Sequence, residues 1–318
     1  MIDGRRRRGW TGGARGVEQV RRVGAYGLVW DTEQERVLLV RGSRYADFPG
    51  VWLLPGGGVE HAEHPASAVV REVAEETGLT VEVTGLRAVV ADVVPYPAQG
   101  VALHTDRLLF DLTPVGGALR SEAKGSADLA RWLTTAQAAE LPLLAFTAEA
   151  LGLPVVPLPA GALRRREPFA VPDAGRRLRF GAYGLVTDPA DRVLLCLIAD
   201  GYPGAGRWHL PGGGTDHGEQ PVTALLRELV EESGQLGRVI DLIGVDNLHN
   251  PAALGPEGYP IDWHGIRVVY RVVVDVPTEP AVTELAGGST ARASWFTRAE
   301  LRELPLTEIA AGLLLTSQ

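Results

Sequence analysis

One cysteine, Cys196, is all that the 318 residues contain, so an internal disulfide cannot form and a disulfide-stapled scaffold is excluded. That thiol lies in the apolar run Val193 to Ile198 and is expected to be a buried core residue. No stretch of roughly eighteen uninterrupted apolar residues occurs, as a membrane-spanning helix would need. The four arginines Arg5 to Arg8 precede Gly-Trp-Thr-Gly-Gly rather than an apolar segment, so they do not read as an export signal. A reducing, cytoplasmic location and no membrane partner are the expectation. Positive charge is outweighed: 31 Lys and Arg face 39 Asp and Glu, a formal net charge of −8, which argues against a nucleic-acid binder. What is present is 45% hydrophobic, enough for two domains, each with its own core.

The chain repeats itself. Gly24 to Val29 (GAYGLV) returns as Gly181 to Val186, Arg36 to Leu39 (RVLL) as Arg192 to Leu195, Trp52 as Trp208 and Trp132 as Trp295. A period this long means whole-domain duplication rather than a solenoid. Residues 1–20 read as a flexible basic tail, 21–151 as the first domain, 152–177 as a Pro, Gly and Arg-rich linker, and 178–318 as the second domain. Within a copy, Ala25 to Trp30, Val37 to Val40, Ala88 to Val94 and Arg107 to Leu112 have strand character. A helix is predicted to start at Pro65, bury Val69, Val70, Val73 and Ala74, and stop at Gly78, with a second over Thr134 to Leu141.

One part of the repeat is not explained by packing. After each Leu-Pro-Gly-Gly-Gly turn come Gly57, Glu63, Arg71, Glu72, Glu75, Glu76 and Gly78, and then, with the same spacings, Gly213, Glu219, Arg227, Glu228, Glu231, Glu232 and Gly234. Glu72, Glu75 and Glu76 stand at i, i+3 and i+4, on one helical face. Gly78 caps that helix, which puts the carboxylates at its C-terminus, where the macrodipole disfavours them. Arg71 reaches Glu75 at i+4 and offsets one charge. A hard divalent cation bound by carboxylate oxygens, with water and phosphate oxygens completing its shell, would relieve the rest.

The pattern G-x5-E-x7-R-E-U-x-E-E-x-G-U, with U apolar, resembles the signature of Nudix hydrolases. Gly57 to Leu79 matches it throughout, and Gly213 to Gln235 departs only where Gln235 replaces an apolar residue. The resemblance implies an α+β protein of two tandem Nudix folds, each an α/β/α sandwich around a mixed β-sheet. It implies Mg²⁺ or Mn²⁺ held by Glu72, Glu75 and Glu76, and by Glu228, Glu231 and Glu232, with help from the backbone near Gly57 and Gly213. Arg71 and Arg227 would orient these groups, and Glu63, Gly78, Glu219 and Gly234 would shape the motif. A helix glutamate or a loop carboxylate such as Glu122 or Glu284 would activate water.

The implied activity is Mg²⁺-dependent cleavage, by water attack at phosphorus, of a diphosphate linkage in a nucleoside diphosphate joined to another group, or in a nucleoside triphosphate. Candidate substrate contacts are Arg41, Trp52, Arg207, Trp208 and Tyr96, although a tryptophan before a tight turn more often packs into the core. His104 and His264 occupy matching places before a strand and read as hydrogen-bonded structural residues. Two alternatives stand beside the hydrolase: a wholly or half non-catalytic sensor of ADP-ribose-like nucleotides, and an RNA-processing enzyme using Arg5 to Arg8 and Arg164 to Arg166. Many relatives are homodimers, so the halves are expected to pack as an intrachain pseudo-dimer, or the chain to form a homodimer.

Overall fold

The computed structural model describes residues 17–31, 33–121, 125–164, 169, 173, 175–254, 259–283 and 288–315. In the first half the strands are β1 (Glu18–Asp31), β2 (Arg36–Gly42), β3 (Trp52–Leu53), β4 (Gly56–Gly58), β5 (Leu79–Tyr96), β6 (Val101–Gly117) and β7 (Ala127–Thr134), with helices α1 (Pro65–Thr77), α2 (Thr135–Ala139) and α3 (Ala145–Ala150). The second half repeats this with β8 (Arg176–Thr187), β9 (Val193–Ile198), β10 (Trp208–His209), β11 (Gly212–Gly214), β12 (Arg238–Leu254), β13 (Pro260–Val273) and β14 (Thr290–Phe296), and helices α4 (Pro221–Ser233) and α5 (Glu308–Leu315). Each sheet has seven strands: five run in the orders β3-β2-β1-β6-β5 and β10-β9-β8-β13-β12, with β4 on β1 and β7 on β2, and β11 on β8 and β14 on β9. β1 runs parallel to β6, and β8 to β13, while the other pairs are antiparallel. The sheets are therefore mixed, as the fold expectation required. β8 begins at Arg176, inside the stretch expected to be linker, and residues 153–164 form turns and irregular chain.

Period-two burial makes each sheet a wall between two cores. From β1, Val23, Ala25 and Val29 face one core, while Tyr26 and Leu28 face the other. From β2, Leu38 and Val40 take the first side, and Val37 and Leu39 the second. The first side receives α1 through Ala68, Val69 and Val73, and the second receives Phe146 and Ala148 of α3. Pro65 opens α1, His64 accepts the Ala66 N–H at its start, and Gly78 ends it in the left-handed conformation at φ 74°. This fixes the three motif glutamates on the last turns of a helix whose other face is buried.

The first-side core does not stop at the domain edge. Phe180, Ala182, Val186, Leu225, Leu229 and Val268 of the second half belong to the same buried cluster as Val23, Ala25 and Val69. Hydrogen bonds cross the same boundary in approximate two-fold fashion. Gly218 donates its N–H to His104 Nδ1 at 2.7 Å, and Ala62, the matching residue, donates to His264 Nδ1 at 3.3 Å. Both histidines are buried, and each braces the motif loop of the opposite half.

A buried ionic network backs one of them. Arg21 donates to Asp106 Oδ2 at 2.7 Å and, across the boundary, to the Thr215 carbonyl at 2.6 Å, while His104 Nε2 lies 3.1 Å from Asp106 Oδ1. Asp106 is fully buried. Asp106→Ala removes the counter-ion of the part-exposed Arg21 guanidinium and the partner of His104 Nε2, and is expected to cost about 1–3 kcal/mol, the range for unmaking a hydrogen bond to a buried group. A urea midpoint within error of wild type would show that water replaces the carboxylate.

Candidate active site

Each half places its motif the same way. Arg71 grips Glu63 with two parallel bonds, Nε to Oε1 and Nη2 to Oε2, both 2.9 Å, and its Nη1 donates to Glu72 Oε1 at 2.9 Å. A further bond runs to the Gly58 carbonyl at 3.1 Å. Arg227 repeats the arrangement on Glu219 at 3.0 Å twice, on Glu228 at 3.0 Å and on the Gly214 carbonyl at 3.2 Å. Such a forked contact fixes direction as well as charge. The arginine thus ties loop to helix. It also touches more carboxylates than the i+4 neighbour the sequence suggested, since Glu75 stands 3.5 Å and Glu231 3.3 Å away.

The three glutamates do not form one exposed cluster. Glu76 is buried, with Oε2 accepting the Gly56 N–H at 2.9 Å and Oε1 the Ser126 hydroxyl at 2.8 Å. Glu232 is held likewise by the Gly212 N–H at 2.9 Å and the Thr290 hydroxyl. Glu72 presses against the motif loop: a Cβ on Gly57 would lie 2.5 Å from its Oε2, and one on Gly213 would lie 2.5 Å from Glu228 Oε1. Only glycine permits that approach. The Glu75 side chain remains 54% exposed, against 17% for Glu231.

Desolvation dominates the electrostatics. Burial pushes the Glu72 and Glu228 carboxyls up, partly offset by the arginine beside each. Burial pushes Glu232 to about 7, against the pull of Thr290 and the Gly212 N–H. Glu63 and Glu219 move the other way, held low by their arginine forks. Glu63 and Glu219 are therefore braces, whereas at Glu72, Glu228 and Glu232 the partners present do not offset the cost of burial. An all-oxygen donor set in that condition fits a hard divalent cation.

Around the second motif opens a cleft of about 1390 Å³. Glu228, Glu231, Glu232 and Arg227 line it together with Arg179, Arg267, Tyr183, Tyr202, His209 and Trp263. Burial and the nearby Arg267 lower His209 to about 4, so it is a neutral imidazole at pH 7, and its Nδ1 lies 2.7 Å from the Thr307 hydroxyl. Cys196 is buried as expected, but it also lines the cleft and hydrogen-bonds Glu232, which lifts the thiol pKa further beyond the effect of burial.

Several expected substrate contacts are elsewhere. Trp52 is buried in the second-side core and its backbone bridges to Leu143. Trp208 is buried against Phe296, ring centroids 4.7 Å apart. Tyr96 is buried, donating to Asp47 Oδ2 at 2.8 Å. Each ring belongs to a buried cluster, Tyr96 to one with Val101 and Leu103, and so serves packing. Arg41 pairs with exposed Asp128 at 2.8 Å, and Arg207 donates to the Leu306 carbonyl at 3.3 Å. Glu122, Glu284 and Arg5 to Arg8 lie outside the described residues. The residues that sequence reasoning missed are Ser126 and Thr290, which hold the buried glutamates, and Arg179, Arg267 and Tyr183 in the cleft. Tyr183 sat in a repeated segment, Ser126 directly precedes β7 and Thr290 opens β14, ahead of Trp132 and Trp295, but nothing in one sequence marks their partners. Gln235, the one departure from the motif, is buried and satisfied by Thr278, accepting its N–H at 3.0 Å and donating to its hydroxyl at 2.9 Å.

The NUDIX domain family matches residues 20–151 and again 176–315. The chain belongs to the Nudix family. Among curated relatives of this Nudix protein, diphosphoinositol polyphosphate phosphohydrolase 2 of Mus musculus and of Homo sapiens is 53% identical over 53 residues. That is 16% of this chain and 28% of each relative, so the match spans under a third of their length. Among solved structures, the MutT NUDIX hydrolase from Burkholderia pseudomallei is 28% identical, covering 42% of this chain and 96% of that one with a TM-score of 0.34. The NUDIX domain of Shewanella oneidensis NrtR, complexed with ADP ribose, is 19% identical, covering 46% and 90% with a TM-score of 0.37. Among the described residues no helix is long and apolar enough to cross a membrane.

Proposed function

We propose that this Nudix protein is a Mg²⁺-dependent hydrolase that cleaves the diphosphate linkage of a nucleoside diphosphate joined to another group, or of a nucleoside triphosphate. The observation that carries the reading is the duplicated constellation, an arginine fork that aims a dehydrated glutamate at a glycine-only loop, set in the second half within a cleft of about 1390 Å³. The units are residues 21–151 and 178–318, joined by 152–177. The phosphohydrolase activity named for the curated relatives is in keeping with this chemistry.

Glu72, Glu75 and Glu76, and Glu228, Glu231 and Glu232, with backbone near Gly57 and Gly213, are the groups to hold Mg²⁺ or Mn²⁺. When bound, such an ion neutralises phosphoryl oxygens and lowers the pKa of attached water. The chain's own residues do the rest. Arg227 keeps Glu228 facing the loop, so the carboxylate enters the reaction without reorganising. Arg179 and Arg267 line the same cleft and supply positive charge for the remaining phosphate oxygens. Tyr183, Tyr202 and Trp263 give flat apolar surface to a nucleobase. Glu228 or Glu232 would take the proton of the attacking water.

With Mg²⁺ and a panel of nucleotide sugars, ADP-ribose, dinucleoside polyphosphates and nucleoside triphosphates, one class is expected to turn over, with one solvent oxygen entering a product phosphate. Stoichiometric binding across the panel without any product would instead make the protein a sensor.

A further inference from the structure

Apart from the motif glutamates, a second constellation of metal-binding side chains spans the boundary between the halves. His61 comes from the first half's motif loop, and His249 and Asp262 from β12 and β13 of the second. One ligand atom from each lies within 4.8 Å of the other two. Among the described residues this is the one trio of His, Cys, Asp or Glu with that property. His61 Nε2 is 3.0 Å and His249 Nε2 2.7 Å from the same Asp262 oxygen, Oδ1, while Arg176 approaches Oδ2 at 3.8 Å.

An ordinary ion pair leaves two features unexplained. First, His61 Nε2 is buried and, despite its closeness to Asp262, has no aligned hydrogen bond. Ligand distances of about 2.0–2.1 Å in a zinc tetrahedron put neighbouring ligand atoms about 3.3 Å apart, so these side chains need only modest adjustment to surround an ion. Second, the pseudo-symmetric corner of the same boundary is built without the trio. There His217 matches His61 and sits 3.1 Å from the Ala102 carbonyl, but Val93 faces His104 where His249 faces His264, and Ala102 takes the place of Asp262. Packing the halves together therefore does not demand a histidine and an aspartate. Their presence on one side only is a specific feature of that side.

We propose that His61, His249 and Asp262 form a Zn²⁺ site that clamps the two halves together. Two imidazoles and one carboxylate suit a borderline first-row ion, unlike the all-oxygen motif suited to Mg²⁺. His249 and Asp262 are partly exposed, with side chains 34% and 30% accessible, so the ion can enter and a water can fill the fourth position. His264 beside them is committed elsewhere, its Nδ1 to the Ala62 N–H and its Nε2 2.6 Å from Asn247 Oδ1. Because His61 stands two residues before Glu63, the carboxylate gripped by Arg71, the ion would anchor the first half's motif loop to the second half's sheet.

The proposal uses none of the motif's glutamates and neither of its arginines, and can be tested apart from the hydrolase reading. The full chain, stripped with chelator and titrated with ZnCl2 in Mg²⁺-free buffer, is expected to take up one equivalent tightly, and Co²⁺ in its place to give the visible bands of a tetrahedral site. His249→Ala and Asp262→Asn should each weaken that uptake about 10- to 100-fold or more, and abolish the rise in Tm that Zn²⁺ gives wild type. Glu231→Gln with Glu232→Gln should retain the uptake in full. No uptake by the wild-type chain, or uptake unchanged in both His249→Ala and Asp262→Asn, overturns the site. Uptake lost in the glutamate variant but kept in the other two also overturns it, by assigning the ion to the motif.

Discussion

Glu231→Gln with Glu232→Gln is expected to reduce hydrolysis at the second cleft by roughly 10³-fold, the scale seen when preorganised charge is removed from a reaction centre. The measurement is kcat in a chain whose first site is already silenced by Glu75→Gln with Glu76→Gln, so that only one centre is read. Two carboxylates beside the Glu228–Arg227 pair would lose their charge, and amides bind a hard dication far less well. Folding should survive. Glu232 accepts one backbone N–H and one hydroxyl, and a glutamine keeps at least one of these, so the stability change stays within about 1–2 kcal/mol. If either glutamine pair leaves every activity untouched while the other half is silenced, that half is a scaffold rather than a working site.

Separating the halves should have the largest effect on stability. Residues 1–155 expressed alone are expected to self-associate or aggregate rather than remain a stable monomer. Val23, Ala25 and Val69 share one buried cluster with Phe180, Ala182 and Val268, so the cut bares a contiguous apolar face. It also exchanges the Arg21 bond to the Thr215 carbonyl and the His104 bond to the Gly218 N–H for bonds to water, a net loss of about 0.5–1.5 kcal/mol each. Light scattering and urea unfolding of the isolated half would decide the matter. A monomer as stable and as active as the first half of the intact chain would mean that the shared core contributes nothing.

Much of the site was open to reading because the motif is local. Glu63, Arg71, Glu72, Glu75 and Glu76 fall within fourteen consecutive residues, a loop and a helix, and helical spacing alone brings Arg71 onto Glu75. The burial of Glu76 was not legible, since it depends on Ser126, which arrives from the residue before β7, fifty positions later. Where the aromatic side chains sit was not legible for a related reason. Trp52 and Trp208 stand just before the motif in sequence, but which face of a short strand points to the site depends on register, and a shift of one residue reverses it. Arg179, Arg267 and Tyr183 reach one cleft from β8 and β13, which lie side by side only through a parallel pairing.

Duplication, the motif helix, the acidic motif and the hard-cation chemistry it suits were determined by the sequence, because each follows from periodicity and spacing within a short length of chain. Only the tertiary structure decided which glutamates are dehydrated, how His104 and His264 brace the opposite motif loops, and where His61 meets His249 and Asp262. Those outcomes depend on residues far apart in the chain being carried together by sheet register and by a core common to both halves, and no local pattern encodes that distance.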